Sequence, residues 1–314
     1  MGAENVTSVR EFILMGLTNH RKTQILLFVV ILIIYSLTVL VNLTIIILVR
    51  VDSRLQTPMY YFLTHLSCLE ICYVTSTLPQ MMAHLLAGNG RIPVIRCMLQ
   101  MNVALTMGGA ECLLLGAMAY DRYMAICHPL IYTIAMDRWC QLQLVLASWT
   151  IPFVVSVIYV VCTFRLPFCG PNHVNHFFCE VPVVLKLACA DTQVTEAIVF
   201  GLAALVVAFP LLVILNSYGL ILHSVLHMRS TAHQRKAFST CASHLLVVTM
   251  FYGTVISMYM IPHSDSAPDR DKQIAVFYVV VTPLLNPIIY TLRNKDVHGA
   301  VALVLRRWGF EQKT

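Results

Sequence analysis

Seven long apolar segments in a chain of 314 residues predict an all-α membrane protein. The expected architecture is a bundle of seven transmembrane helices, N-terminus extracellular and C-terminus cytoplasmic. Three observations carry this expectation. Hydrophobic residues make up 58% of the chain and charged residues 11%, far below the roughly 25% charge of a soluble domain. That charge is too scarce to cover a water-facing surface of this size. Apolar runs long enough to cross about 30 Å of hydrocarbon recur along the sequence, and basic residues gather on alternate loops.

The spans follow from length and polarity. They are Gln24 to Val49, Pro58 to Ala87, Arg96 to Cys127, Cys140 to Thr163, Val194 to His227, Ala237 to Ile261 and Ile274 to Leu292. Polar residues interrupt the second and third. An odd count puts the termini on opposite sides. Loops 50–57, 121–139, 228–236 and 293–314 carry 12 basic residues against 5 acidic ones, which marks them as cytoplasmic. Three regions result: an extracellular segment 1–23, a helical domain 24–292, and a cytoplasmic tail 293–314. The tail reads as an amphipathic helix with Val301, Leu303, Val304, Leu305 and Trp308 against lipid. The start has no charged n-region followed by an apolar stretch, so the first span is expected to serve as the targeting signal. Gly2 is not followed by Ser or Thr at position 6, which argues against myristoylation. Asn5-Val6-Thr7 is a glycosylation sequon on the outer side. The formal charge is +6, yet no run of five or six like charges exists, so nucleic acid is not an expected partner.

Of 11 cysteines, Cys97, Cys169, Cys179 and Cys189 fall outside. Four cysteines in an oxidising compartment suggest two disulfides and allow three pairings. The remainder read as small packing residues, and no pair of them has zinc-site spacing. Ionisable groups inside hydrocarbon are costly and point to function. Glu70 and Glu111 are the two acids deep in the spans. They read as a pair that shares a proton or holds Na⁺ through its oxygens, against the plainer reading of two separately hydrogen-bonded glutamates. Asp121 and Arg122 end the third span as an interfacial pair or a latch. Pro283 and Pro287 with Asn286 suggest a hinge in the seventh. His65 and His244 read as satisfied interior histidines. No span repeat indicates a transporter, and no converging nucleophile or acid pair indicates an enzyme.

Five blocks appear in order along the chain: Pro58-Met59-Tyr60-Tyr61-Phe62-Leu63, Met118 to Cys127 with Asp121-Arg122-Tyr123 inside it, Ser217-Tyr218, Lys236 to His244, and Pro283 to Tyr290. With Asn42 in the first span, they resemble, in order and spacing, the olfactory (odorant) receptors of the rhodopsin-like (class A) G-protein-coupled receptor superfamily, tetrapod-type (class II) subfamily. The resemblance covers essentially the whole chain. Val41 stands where the family usually has Gly, and Glu70 where many members have Asp, which alters the geometry open to a cation.

The resemblance implies disulfides Cys97–Cys179 and Cys169–Cys189. It implies an odorant pocket among the third, fifth, sixth and seventh spans, below the second outer loop. The matching positions are Ala104, Leu105, Gly108, Gly109 and Cys112; Leu202 and Val206; Tyr252, Val255, Ile256 and Tyr259; Val276 and Val279. This set holds no charge, so the expected ligands are small, volatile and mostly uncharged. Ala104 stands where amine receptors carry aspartate, and the seventh span has no lysine for a Schiff base. Gly108 and Gly109 either enlarge the cavity or let helices approach. Coupling to a stimulatory olfactory G protein, raising cyclic AMP, is implied for Asp121, Arg122, Tyr123, His128, Pro129, Tyr132, Tyr218, Lys236, Asn286, Pro287 and Tyr290. No cofactor is required beyond the Na⁺ considered at Glu70 and Glu111. The implied setting is the plasma membrane of olfactory sensory neurons.

Overall fold

The structure, a computed structural model, describes residues 9–169, 172–228, 230–259, 268–292, 297 and 299. Its long helices are α1 (Arg21–Val51), α2 (Pro58–Ala87), α3 (Val94–Cys127), α5 (Arg138–Phe164), α7 (Gln193–Leu226) and α8 (Thr231–Tyr259). Short helices α4 (Tyr132–Ala135) and α6 (Val181–Leu185) lie between them. A last helical stretch comprises α9 (Pro268–Val276), a π-helical turn Phe277–Val281 and α10 (Thr282–Leu292). Among the described residues, six helices are long and apolar enough to cross a membrane. α2 equals them at 30 residues, but Thr64, His65, Ser67, Glu70, Thr75, Ser76 and Thr77 keep it out of that group. Its buried face carries Thr64, Ser67, Glu70 and Thr77.

Local chemistry sets the helix ends. α2 opens on Pro58 after an extended Thr57, where a missing N–H costs nothing. It closes at Gly88, whose φ of +64° is the left-handed cap that glycine adopts most readily. Asp137 caps α5 by accepting from the Cys140 N–H at 2.8 Å. The sequence places a proline hinge in one seventh span; the irregular turn lies just ahead of Pro283. Proline lacks the donor that an α-helix would use at that point, so the preceding carbonyls re-pair locally. Thr282 Oγ1 donates to the Phe277 carbonyl at 3.3 Å. Asn42 Nδ2 donates to the Pro283 carbonyl at 3.3 Å, tying α1 to α10 where the prolines loosen it.

The all-α expectation needs one correction. A small sheet, ordered β2-β1-β3, caps one end of the bundle. β1 (Glu11–Leu14) pairs antiparallel with β2 (Arg91–Pro93) and parallel with β3 (His173–Val174). Phe12 and Leu14 point down from β1 into an apolar cluster with Ile92, Met101, Val174 and Val184. The segment before the first long helix is thus packed structure from Glu11 onward. Both disulfides lie at this sheet end. Cys97 in the first turn of α3 joins Cys179 across a Cα separation of 5.5 Å, and Cys169 joins Cys189 across 5.8 Å. Asn5 and the tail reading at Val301 to Trp308 lie outside the described residues.

Candidate functional site

Below the sheet end, α3, α5, α7, α8 and the loop after β3 enclose a cavity of about 590 Å³. Of the residues singled out from the sequence, Ala104, Leu105, Gly108, Gly109, Cys112, Val206 and Val255 line it. Others do not. Ile256 is 41% exposed on the outer face of α8. Tyr252 is buried beside Cys112, below the cavity. The lining stripe of α8 is Phe251, Thr254, Val255 and Met258, rotated by about one residue from the expected one. Leu202 is half-buried off the stripe formed by Val199, Ala203, Val206 and Val207. Val276 packs against the central core, and Val279 is fully buried within it. The side chain of Tyr259 lies outside the described residues.

The two glycines play different parts. A Cβ on Gly108 would meet nothing within 4 Å, so this glycine opens the cavity. A Cβ on Gly109 would come within 2.7 Å of Pro152 Cβ, so this one permits α3 to approach α5. Gly116, about two turns further on, admits Pro210 of α7 in the same way. Gly108→Ala is therefore expected to leave the thermal midpoint of the purified chain unchanged or raised, since alanine favours helix. Gly109→Ala is expected to cost about 1–3 kcal/mol through overpacking against a rigid ring. Equal midpoints for the two variants would overturn this division.

The expected uncharged lining is also corrected. Glu111 reaches the cavity floor, Glu180 its roof, and Glu196 and Lys186 its rim. Glu180 directly follows disulfide-bonded Cys179, so the bridge fixes this acid over α3. That adjacency was the sequence signal for it. Glu180 is buried, and Tyr278 Oη donates to its Oε1 at 2.9 Å. His176 Nε2 stands 3.7 Å from Glu180 Oε2. Burial between Phe177 and Phe178, together with the charge of Lys272, pushes His176 down to about 3. At neutral pH it is uncharged, and the pair is not an ion pair.

Beneath the cavity, Asn286 bridges the two intramembrane acids. Its Nδ2 donates to Glu70 Oε1 at 2.5 Å and to Glu111 Oε1 at 3.0 Å. Glu70 and Glu111 are thus brought together, and Asn286, read from the sequence as part of a hinge, is their common donor. Pro287 follows it inside α10.

At the opposite end of the bundle lies a buried polar cluster. Arg122 is 5% exposed. Its Nε and Nη1 have no hydrogen-bond partner among the described residues. Tyr218, His244 and Tyr290 surround its charge. Tyr218 Oη and His244 Nδ1 share a hydrogen bond of 2.6 Å. His244, read from the sequence as an interior histidine, belongs to this cluster. Asp121 accepts from Tyr132 Oη at 2.8 Å, and its carboxylate lies near enough to Arg122 for the two charges to interact. Consecutive helical residues point about 100° apart, whereas α4 brings Tyr132 directly beneath Asp121. Tyr123 Oη pairs with His128 Nε2 at 2.9 Å, and Pro129 is exposed in the turn beyond. The Lys236 side chain lies outside the described residues.

Comparison with known proteins gives the arrangement its context. The family model described as olfactory receptor matches residues 31–307. The chain is 44% identical over 306 residues to olfactory receptor 2W1 of Homo sapiens, covering 98% of this chain and 96% of that one. It is 46% identical over 303 residues to olfactory receptor 5M5 of Mus musculus, covering 96% and 95%. It is 46% identical over 306 residues to olfactory receptor 2G3 of Homo sapiens, covering 97% and 99%. These relatives and the apolar helices describe a multi-pass membrane protein that is a receptor and not an enzyme. The chain belongs to the olfactory receptor family.

Proposed function

We propose that this chain is an odorant receptor of the plasma membrane of olfactory sensory neurons. It crosses the bilayer seven times, with the sheet end outside and the Arg122 end in the cytosol. Small volatile molecules bind in the cavity beneath the sheet, and the cytosolic end activates a stimulatory olfactory-type heterotrimeric G protein to raise cyclic AMP. The observation that carries this reading is the pairing of an enclosed cavity at one end with a buried cationic cluster at the other, joined by α3. A ligand activates only by binding one arrangement of the helices more tightly than another. Beside the cluster, Leu130, Ile131 and Ile134 are 92%, 50% and 77% exposed. That apolar surface next to His128, Pro129 and Tyr132 suits a protein partner. Cyclic AMP is measured in cells expressing the chain and the olfactory stimulatory α-subunit, against volatile esters, ketones, alcohols, thiols and acids. A dose-dependent rise is expected. Signalling through a different G-protein class, or silence despite surface expression, would overturn the coupling.

The Glu70–Asn286–Glu111 group fits a Na⁺ ion. Glu70 Oε2 and Asn286 Oδ1 are buried without a hydrogen-bond partner among the described residues, and hard cations take oxygen ligands. Sodium there would hold α2, α3 and α10 in the resting arrangement. Replacing Na⁺ by choline is expected to raise apparent agonist potency in the wild type and not in Glu70→Gln. An equal response in both would favour the shared proton.

A further inference from the structure

A second hollow lies on the outside of the bundle. Between α8 and the last helical stretch runs a groove of about 340 Å³, lined by Gly253 and Ser257 on one side and by Gln273, Ile274 and Phe277 on the other. Gly253 and Gln273 are exposed, and Phe277 is 37% exposed. These residues lie within apolar spans, so the solvent they face is lipid. A Cβ on Gly253 would meet nothing within 4 Å, so this glycine gives the groove its width. The hydroxyls of α8 here are turned onto their own helix. Ser257 donates to the Gly253 carbonyl at 2.7 Å, and Thr254 donates to the Phe251 carbonyl at 2.7 Å. With both protons used in this way, the groove presents chiefly the hydrocarbon of Met250, Ile274 and Phe277.

Thr254 lines both the groove and the cavity. At this point the partition between lipid and cavity is one residue of α8. Opposite it, regular helix gives way to the π-helical turn that begins at Phe277, where the backbone ladder is already rearranged. The other approaches suit an apolar molecule less. The sheet and the Cys97–Cys179 bridge cover the cavity from above, and the rim carries Lys186 and Glu196. Each methylene of a ligand favours hydrocarbon over water by roughly fourfold, so an apolar volatile meets the receptor mainly dissolved in the bilayer.

We propose that the groove between α8 and the last helical stretch is a lateral entry route, through which apolar ligands pass from the bilayer into the cavity at Thr254, between Gly253 and Phe277. This rests on the cavity being the ligand site. Gly253 and Phe277 line the groove and not the cavity. Filling the groove at Gly253 therefore slows entry and exit alike and leaves the affinity of the cavity as it was.

The test uses octan-1-ol bearing a photoreactive diazirine, added to the purified full chain in lipid nanodiscs. Flashes at increasing times after mixing are followed by mass spectrometry of the adducts. The readout is the adduct on Tyr159, which is buried in the cavity wall away from the groove. Gly253→Phe is expected to lower the early yield at Tyr159 by roughly tenfold and the yield at long exposure by less than about twofold, as for a slowed path to an unchanged site. Gly253→Leu is expected to lie between it and the wild type. Phe277→Ala, which widens the groove, is expected to raise the early yield by about twofold or more, a change that a folding defect would not produce. Equal early yields in wild type and Gly253→Phe overturn the route and leave the cavity as the ligand site. A loss in Gly253→Phe that persists at long exposure also overturns it, because the substitution then acts on the site and not on the path. A wild type with no adduct on Tyr159 at any time overturns the route and the cavity reading together. Adducts that behave as expected in a chain that gives no cyclic AMP response overturn the coupling and leave the route standing.

Discussion

Arg122→Ala is expected to abolish agonist-driven cyclic AMP while surface expression stays within about twofold of wild type. The physical ground is the position of the guanidinium. It is buried, and two of its nitrogens have no hydrogen-bond partner among the described residues. A buried cation with two unbonded nitrogens carries a desolvation penalty. In this arrangement it therefore contributes little stability, and its worth is expected to lie in contacts made when a partner supplies acceptors. Tyr218 on α7, His244 on α8 and Tyr290 on α10 ring it, so displacement of any of these helices alters its surroundings. Two consequences separate this role from a structural one. The thermal midpoint of Arg122→Ala should be unchanged or raised, because a buried charge with incomplete hydrogen bonding has been removed. Arg122→Lys should also fail to signal, because an ammonium keeps the charge but loses the planar fork of donors. A variant with normal signalling, or one that loses signalling only by losing stability, would refute the assignment. The cost in signalling should exceed roughly tenfold in potency, equivalent to about 1.4 kcal/mol of coupling.

Much of the bundle was legible from the sequence because lipid imposes length and polarity rules stronger than those of a soluble core. The expected second span, Pro58 to Ala87, coincides with α2 because Pro58 and Gly88 mark its ends in local chemistry. The sheet was not legible. Its strands have four, three and two residues, and β1 meets partners about 80 and 160 residues away, which no local pattern encodes. The face of α8 toward the cavity was not legible for a different reason. In a membrane helix the lipid side is as apolar as the packed side, so hydrophobic periodicity gives a stripe without its phase. Ile256, exposed, and Val255, in the cavity wall, are chemically alike and adjacent. Polar residues were better guides. Glu70 and Glu111 meet through Asn286 as their cost in hydrocarbon suggests, whereas Glu180 lies in a loop, where an acid carries no such cost to mark it. The Asp121–Tyr132 bond spans a turn of chain that spacing does not resolve.

Loss of the Cys97–Cys179 bridge is expected to have the largest effect on the folded chain. The bridge joins positions 82 apart in sequence and holds the cavity roof to the first turn of α3. Beside it, the Cys179 N–H donates to Gln100 Oε1 at 3.0 Å. Gln100 Nε2 in turn donates to the Ser76 carbonyl at 3.3 Å and to Gln80 Oε1 at 3.2 Å. This buried chain of amides depends on Cys179 keeping its place. Without the cross-link the roof gains conformational freedom, and the amides lose their alignment in a poorly solvated site. A native disulfide typically contributes about 2–5 kcal/mol, a large fraction of a marginal stability. The double variant Cys97→Ser, Cys179→Ser is therefore expected to lower the thermal midpoint and the fraction of chain reaching the surface. Cys97→Ser alone should be worse than the double, because it leaves a free Cys179 thiol within the same loop as Cys169 and Cys189, where exchange can trap wrong pairings. Agonist potency in the surviving double variant should fall more than its surface level, since Glu180 follows Cys179 directly and loses its fixed position over the cavity. A double variant with wild-type midpoint and potency would show that the amide chain and the apolar cluster of Phe12, Ile92 and Val174 hold the roof without the covalent bond.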